Sequence, residues 1–493
     1  MPDYRIYEHP VLKFKRGRHV IFKYNGSIIE AYEGESILAA LYALGYRVFS
    51  RSPDGSRPRG AFCMIGRCSS CLSTVNGVPN TRICIEPVRD NLEVVGGTGI
   101  PEAPVSVTGF KPVDKEIVEA DVLVIGGGPA GLQAALRLGE RGVKTVVVTD
   151  HFKLGGQLVK QTHRFFGSVR YYGGLRGFRI AEKLVETLSR MPSVKTYTRA
   201  YAYGFFSEGF IGVAVSGENP VNLLVKPKYV IIATGAMERM ALFENNDLPG
   251  VMGAGGAQTL MNEYGVKPGE DALIVGAGNV GLIVAYQLLQ AGVRVHGVIE
   301  LREEIGGWVV HAAKIRRYGV PILTGHSILR VEGQERVEKA VIAAVDEKRK
   351  PIPGTEREYS VDLVLLAVGL QPEYTLLSQM GAAMKYVPEA GGFIPLRTRF
   401  METSIPNVFV AGDTSGVEEA TTAFIEGEIA AYTILERMGF RDAAEARDRL
   451  LDFLWNEYRL SPVVARAREG KLKVTVSEEE IEELRKGSNH VHF

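Results

Sequence analysis

Cysteine is almost missing from this chain: there are four in 493 residues, all between Cys63 and Cys84. A disulfide framework is excluded for the bulk of the protein. The scarcity fits a reducing compartment, where grouped thiols serve as metal ligands or redox groups. An excess of one charge is missing too, with 58 Lys and Arg against 57 Asp and Glu. That balance leaves no basic surplus to hold a phosphate backbone, so nucleic acid is not an expected partner. Long apolar runs are absent; the longest, around VDLVLLAVGL, falls well short of the ~20 residues of a membrane span. The opening stretch MPDYRIYEHPVLKFKRGR shows no apolar signal core, and the nine histidines show no ligand spacing. The expectation is a soluble, cytoplasmic protein with no integral membrane segment. At 493 residues it is too long for a single core and calls for several domains.

Glycine, by contrast, is abundant at 56 residues, and its placement is informative. VIFKYNGSIIEAY alternates apolar and polar residues about Asn25-Gly26, which predicts a hairpin. ESILAALYALG then has helical spacing, with Ser36 as N-cap and Gly45 as the stop. The cysteine loop follows. A proline-bearing, aperiodic stretch, IPEAPVSVTGFKPVDKE, reads as a linker.

Beyond the linker, EADVLVIGGGPAGLQAALRLGERGVKTVVVTD predicts a strand, a glycine turn, an amphipathic helix and a second strand ending in an acid. In Gly126-x-Gly128-x-x-Gly131, the first glycine permits the tight turn, the second admits a pyrophosphate against the backbone, and the third lets helix and strand pack closely. Pro129 suits a first helical turn. Asp150 lies nineteen residues past Gly131, where a carboxylate accepts from ribose hydroxyls. A second copy, DALIVGAGNVGLIVAYQLLQAGVRVHGVIE, repeats the device with Gly276-x-Gly278-x-x-Gly281, Asn279 and Val280 opening the helix, and Glu300 nineteen residues past Gly281. The following segment, IELREE, offers no basic pair for a 2′-phosphate, so NADPH is disfavoured there. NAD(H), ATP and ADP all satisfy the same contacts.

The cysteines are spaced Cys63-x4-Cys68-x2-Cys71-x12-Cys84. Structural zinc usually pairs two short-spaced knuckles, and this loop has one C-x2-C. The C-x4-C-x2-C head has plant-type [2Fe-2S] spacing, in which backbone N–H groups face the sulfurs, and the preceding hairpin and helix match a β-grasp ferredoxin frame.

Two further motifs carry a resemblance. YVIIATGA ends an apolar strand in Thr234-Gly235, and NVFVAGD ends another in Gly412-Asp413. With them the chain resembles the two-dinucleotide-binding-domain flavoproteins of the thioredoxin- and glutathione-reductase class. The resemblance implies FAD at the first fingerprint (Gly126, Gly128, Pro129, Ala130, Gly131 and Asp150). It extends that site to Gly155, Gly156 and Gln157 of LGGQL, Thr234, Gly235, Gly412, Asp413 and Thr421, and leaves ATP or NAD for Gly276, Gly278, Asn279, Val280, Gly281 and Glu300. The chain departs from the disulfide reductases in having no CxxC in either nucleotide domain, so no flavin-to-dithiol relay runs here.

The fused domain order and the phrase ATGAMERMALFENNDLPGVMGAGGAQTLMNEYGV make the chain similar, over nearly its whole length, to one family. Its members are the α subunits of archaeal dye-linked L-proline dehydrogenase, heterotetrameric sarcosine oxidase, hydrogen cyanide synthase and opine oxidase. The resemblance implies a hetero-oligomer in which an FAD-containing β subunit oxidises the amino acid, with FMN between the subunits. The expected fold is α/β: a two-dinucleotide-binding-domain flavoprotein with an N-terminal β-grasp [2Fe-2S] domain and a small helical C-terminal extension. Expected boundaries are residues 1–105 for the ferredoxin-like domain, 106–116 linker, 117–250 and 361–436 for the two parts of the FAD domain, 251–360 for the second nucleotide domain, and 437–493 for the extension. No nucleophile or acid–base residue stands out as catalytic. The functions left open are an electron-transfer subunit of an L-proline or sarcosine-type dehydrogenase, an NAD(H)-dependent oxidoreductase in its own right, and a scaffold stabilised by its nucleotides.

Overall fold

A computed structural model describes residues 3–97, 113–164, 168–217, 219–461 and 464–486. Most of the linker expected at 106–116 lies outside the described residues, as do His490 and His492. The chain divides into two compact units, Met1–Thr108 with Glu238–Gly369, and Gly109–Met237 with Leu370–Phe493.

In the first unit, strands His19–Tyr24 and Ser27–Tyr32 pair antiparallel across Asn25-Gly26. Both turn residues sit at positive φ, 50° and 80°, as a two-residue hairpin with the right-handed strand twist requires. Strand Glu93–Gly96 joins parallel to the first, and Leu72–Val75 and Val78–Arg82 complete a five-stranded sheet. Helix Ile37–Ala43 packs fully buried beside it, with the Ser36 side chain accepting from Ala39 N–H. At its far end Gly45 N–H donates to the Tyr42 carbonyl and Tyr46 N–H to Leu41, a Schellman ending made possible by Gly45 at φ 93°.

The same unit carries an all-parallel sheet in the order Val251–Gly253, Leu363–Leu366, Asp271–Val275, Arg294–Glu300, Ile322–Thr324. Its strands read as continuous apolar runs because both faces are covered. Phe62 and Cys63 of the cysteine loop belong to its core, against Leu248, Val251, Leu273 and Val364.

The second unit is built on a sheet whose parallel part runs Val194–Tyr197, Thr145–Val148, Asp114–Ile125, Val221–Ile232, with Val408–Val410 beside the last. Alternation along Asp114–Ile125 sends Val122 and Val124 towards helices Pro129–Gly139, Gly177–Ser189 and Ala420–Arg437, and Leu123 and Ile125 towards the antiparallel strands on the other face. Beyond Arg437 come helices Ala443–Asp452, Ala465–Leu472 and Glu478–Lys486, and a short strand, Thr475–Val476, that pairs with Arg397–Thr398. No helix among the described residues is long and apolar enough to cross a membrane.

Candidate cofactor sites

In the second unit three sequence-distant turns meet. A Cβ on Gly126, which holds φ 119°, would stand 2.1 Å from the Ala233 carbonyl, and one on Gly131 would stand 1.9 Å from the Gly126 carbonyl. Gly128 differs: its Cβ would meet only the Gly156 Cα, at 3.8 Å, and Gly128 caps a helix whose first turn receives no side-chain cap. That is the geometry of an anion site at a helix N-terminus, with backbone N–H groups left for a phosphate.

The Thr234-Gly235 turn joins the Gly412-Asp413 turn through Thr414. The Thr414 Oγ1 accepts from Gly235 N–H at 2.7 Å and lies 3.2 Å from Thr234 Oγ1, which itself donates to the Glu373 carbonyl at 2.7 Å. Gly235 faces open space. Gly412, at φ 72°, lets the turn lie against Ala130, and Gly427 lets helix Ala420–Arg437 press on the Ala130 carbonyl. Asp413 is half-buried; burial pushes its carboxyl up to about 6 against the opposing pull of the Glu418 N–H and Lys471. Asp150 and Gln157 are exposed beyond strand Thr145–Val148, Gly156 closes on Gly128, and Thr421 is buried in the first turn of helix Ala420–Arg437. The open glycines, the uncapped helix and the carboxylate Asp413 fit a dinucleotide. Sequence reasoning missed Thr414, which lies one residue past a motif it did use.

The second fingerprint, in the first unit, repeats this geometry. A Cβ on Gly276 would meet the Ala367 carbonyl at 2.4 Å and one on Gly281 the Gly276 carbonyl at 2.0 Å, whereas Gly278 has nothing within 4 Å. Glu300 is buried, and its Oε2 accepts from Ala277 N–H at 2.9 Å while Oε1 accepts from the Arg302 N–H and Nε at 3.1 and 3.0 Å. Burial raises its carboxyl, but Arg302 and the two backbone N–H groups outweigh that and hold it below the usual range. The loop after Glu300 folds back over the turn. Gly306 and Gly307 N–H donate to the Ala277 carbonyl, and Trp308 N–H to Asn279 Oδ1 at 2.8 Å. Val280 is exposed beside it. The Gly306-Gly307 pair does for Gly278 what Gly155-Gly156 does for Gly128; aligning the two copies past their acids would have found it.

The four cysteines converge with no disulfide among them. Side-chain contacts pair Cys63 with Cys68 and Cys84 with Cys71, and join Cys63 to Cys84. Donation from Cys68 and then Cys84, with the Ile65 and Arg67 N–H groups, holds Cys63 far below an ordinary thiol; the same contacts push Cys68 and Cys84 up. Ser70 donates to Cys68 from both backbone and hydroxyl. Met64, Gly66 and Ser69 at positive φ turn these N–H groups inward. A binuclear cluster takes its four thiolates two to an iron, and the Cys63–Cys68 and Cys71–Cys84 contacts are compatible with that grouping. The loop rests on helix Ala254–Asn262, where a Cβ on Gly256 would stand 2.1 Å from the Phe62 carbonyl. Glu238 takes the Gly255 and Gly256 N–H groups of that helix at 2.5 and 3.1 Å.

Two glycine-turn nucleotide folds and a β-grasp domain bearing a four-cysteine loop define a flavoprotein oxidoreductase with a 2Fe-2S domain. Residues 120–427 match the pyridine nucleotide-disulphide oxidoreductase family, to which the chain belongs, and residues 17–99 match the 2Fe-2S iron-sulfur cluster binding domain. The chain is 25% identical to the alpha subunit of sarcosine oxidase from Corynebacterium sp. (strain P-1), with 90% of this chain and 46% of that protein aligned. It is 28% identical to the HcnB subunit of hydrogen cyanide synthase from Pseudomonas aeruginosa, over 66% of this chain and 73% of that one. Among solved structures, L-proline dehydrogenase from P. horikoshii superposes with a TM-score of 0.65 at 26% identity, covering 90% of this chain and 79% of that one. The chain spans about half the length of the sarcosine oxidase alpha subunits it matches.

Proposed function

We propose that this chain is the electron-transfer subunit of a hetero-oligomeric, dye-linked amine or imino-acid dehydrogenase, with L-proline the favoured substrate and its oxidation to 1-pyrroline-5-carboxylate carried out on an FAD-containing partner subunit. The single observation that carries this reading is that all four thiols of the chain are spent in one loop, leaving the nucleotide units no dithiol with which to reduce a disulfide. In this reading FAD rests on Gly126, Gly128, Pro129, Ala130 and Gly131, with Asp150 at its ribose and Gly155, Gly156, Gln157, Thr234, Gly235, Gly412, Asp413 and Thr421 around it. ATP or NAD rests on Gly276, Gly278, Asn279, Val280, Gly281 and Glu300, a [2Fe-2S] cluster on Cys63, Cys68, Cys71 and Cys84, and FMN at the face towards the partner. Such cofactors supply two-electron and one-electron chemistry. The protein's own part is to bind and orient them.

The test is dye reduction by the purified chain at saturating L-proline and sarcosine, with and without a β-type flavoprotein subunit. Turnover is expected only with the partner; sustained turnover by the chain alone overturns the proposal. NADH added to the same protein separates the other redox reading, because rapid bleaching of the flavin would make the Glu300 site a hydride-donor site.

A further inference from the structure

The C-terminal extension carries no motif, yet it supplies two of the most deeply buried charges in the second unit. Arg459 and Lys471 are each 1% exposed, as is Arg397, and Glu426, on which they converge, is 0% exposed. Glu426 works in two directions. Its Oε2 accepts from Gly412 N–H at 3.0 Å and from Ser415 Oγ at 2.6 Å, so it grips the Gly412-Asp413 turn from beneath. Its Oε1 accepts from Arg459 Nη2 at 2.7 Å and Lys471 Nζ at 2.8 Å, both from the extension. Lys471 also donates to Ser415 Oγ at 2.8 Å, and Arg459 donates to Glu418 at 2.5 Å. The Glu418 N–H in turn donates to Asp413 Oδ1 at 3.2 Å. Tyr458 donates to Glu419, the cap of helix Ala420–Arg437, and Arg397 ties Thr475 to the same cluster at 2.8 Å.

We infer that Arg459 and Lys471 are positioning residues for the flavin site, fixing the Gly412-Asp413 turn through Glu426 and Glu418, so that the extension completes the FAD pocket from behind. The physical ground is that a buried carboxylate needs its cations. Without them Glu426 is drawn towards solvent, and the Gly412 and Ser415 donors lose their common acceptor. A turn that must present Asp413 to a cofactor hydroxyl then becomes one of several conformations, and affinity falls by the fraction that remains competent. The inference rests on FAD occupying the first fingerprint, and wild-type FAD binding is measured alongside to keep the two apart. A folded wild-type apoprotein that binds no FAD would remove that basis and overturn the inference with it.

The experiment titrates FAD and ATP into apoprotein of the whole chain. Lys471→Met should weaken FAD at least tenfold and leave the second adenine nucleotide within about threefold. Glu426→Gln combined with Lys471→Met removes one carboxylate and one ammonium together, leaves Arg459 on Glu418 and keeps an acceptor for Gly412 N–H, so it should recover part of the FAD affinity, the coupling expected of neighbours acting as a unit. Should Lys471→Met not fold, hydrogen exchange on the wild-type chain decides: FAD should slow exchange in residues 470–476 together with 412–415. FAD affinity unchanged in a folded Lys471→Met, equal loss of both nucleotides, or no protection of 470–476 would each overturn the inference.

Discussion

The two middle glycines offer a perturbation whose effect on the fold and effect on a ligand separate cleanly. Gly278 has φ −76° and ψ 178°, a conformation alanine adopts freely, and nothing lies within 4 Å of where its Cβ would be. Gly278→Ala should therefore leave the ligand-free protein as stable as before, or more stable by ~0.4–1 kcal/mol through a stiffer unfolded chain. The added methyl would stand where a pyrophosphate reaches the helix N-terminus. Losing one charge-assisted backbone bond there costs ~1.5–3 kcal/mol, roughly a 10- to 150-fold loss of affinity. Gly281→Ala is the control with the opposite signature, because its Cβ would stand 2.0 Å from the Gly276 carbonyl and the strand–helix packing must give, at ~1–3 kcal/mol or more. Gly128→Ala and Gly131→Ala form the matching pair in the other unit, at 3.8 and 1.9 Å. Thermal melts of the apoprotein and calorimetric titrations with FAD and with ATP or NAD give the three numbers needed for each variant. Gly278→Ala should lose only the second nucleotide and Gly128→Ala only FAD. A folded Gly278→Ala that binds its nucleotide with wild-type affinity would refute the reasoning, and one that loses FAD instead would reverse the assignment.

Anaerobically prepared protein should carry two irons and two acid-labile sulfides per chain, by analogy with plant-type spacing, and Cys68→Ser should reduce that content; stoichiometric zinc without iron after reconstitution would overturn the assignment. Glu426 is held down to about 2 by Lys471, Arg459 and Arg397 in spite of burial, so its contribution of ~3 kcal/mol is complete above pH 4.5 and lost as pH falls towards 2. Denaturant melts between pH 3 and 7 should show that acid limb flattened in the paired Glu426→Gln and Lys471→Met variant. Asp413 has the opposite sign: raised to about 6 from 3.8, it favours the folded state at low pH, and that contribution fades as pH rises through 6. Asp413→Asn should accordingly stabilise the ligand-free protein at pH 7.5 by ~1–2 kcal/mol, allowing for partial solvent screening, while weakening FAD. A melting point lower than wild type would contradict it.

What was legible in the sequence is what local chemistry dictates. Asn25-Gly26 requires positive φ at two positions and obtains it, Ser36 caps its helix, and Gly126 and Gly276 turn sharply because a carbonyl of the neighbouring strand stands where a side chain would be. The illegible part lies in pairs far apart along the chain. Tyr42 donates to the Pro268 carbonyl at 2.6 Å, and the Phe62 carbonyl lies against Gly256, so the cysteine loop and the second nucleotide fold share one core. No periodicity announces such contacts, because a buried tyrosine and a helix-entry glycine look ordinary in their own neighbourhoods. The extension is the sharper case. Arg459, Lys471 and Glu426 carry the residue types that composition assigns to solvated faces, and they are buried because each satisfies the others. Charge pattern reports which residues prefer water. It is silent on which will find a better partner inside, and in this chain that partner is the carboxylate beneath the Gly412-Asp413 turn.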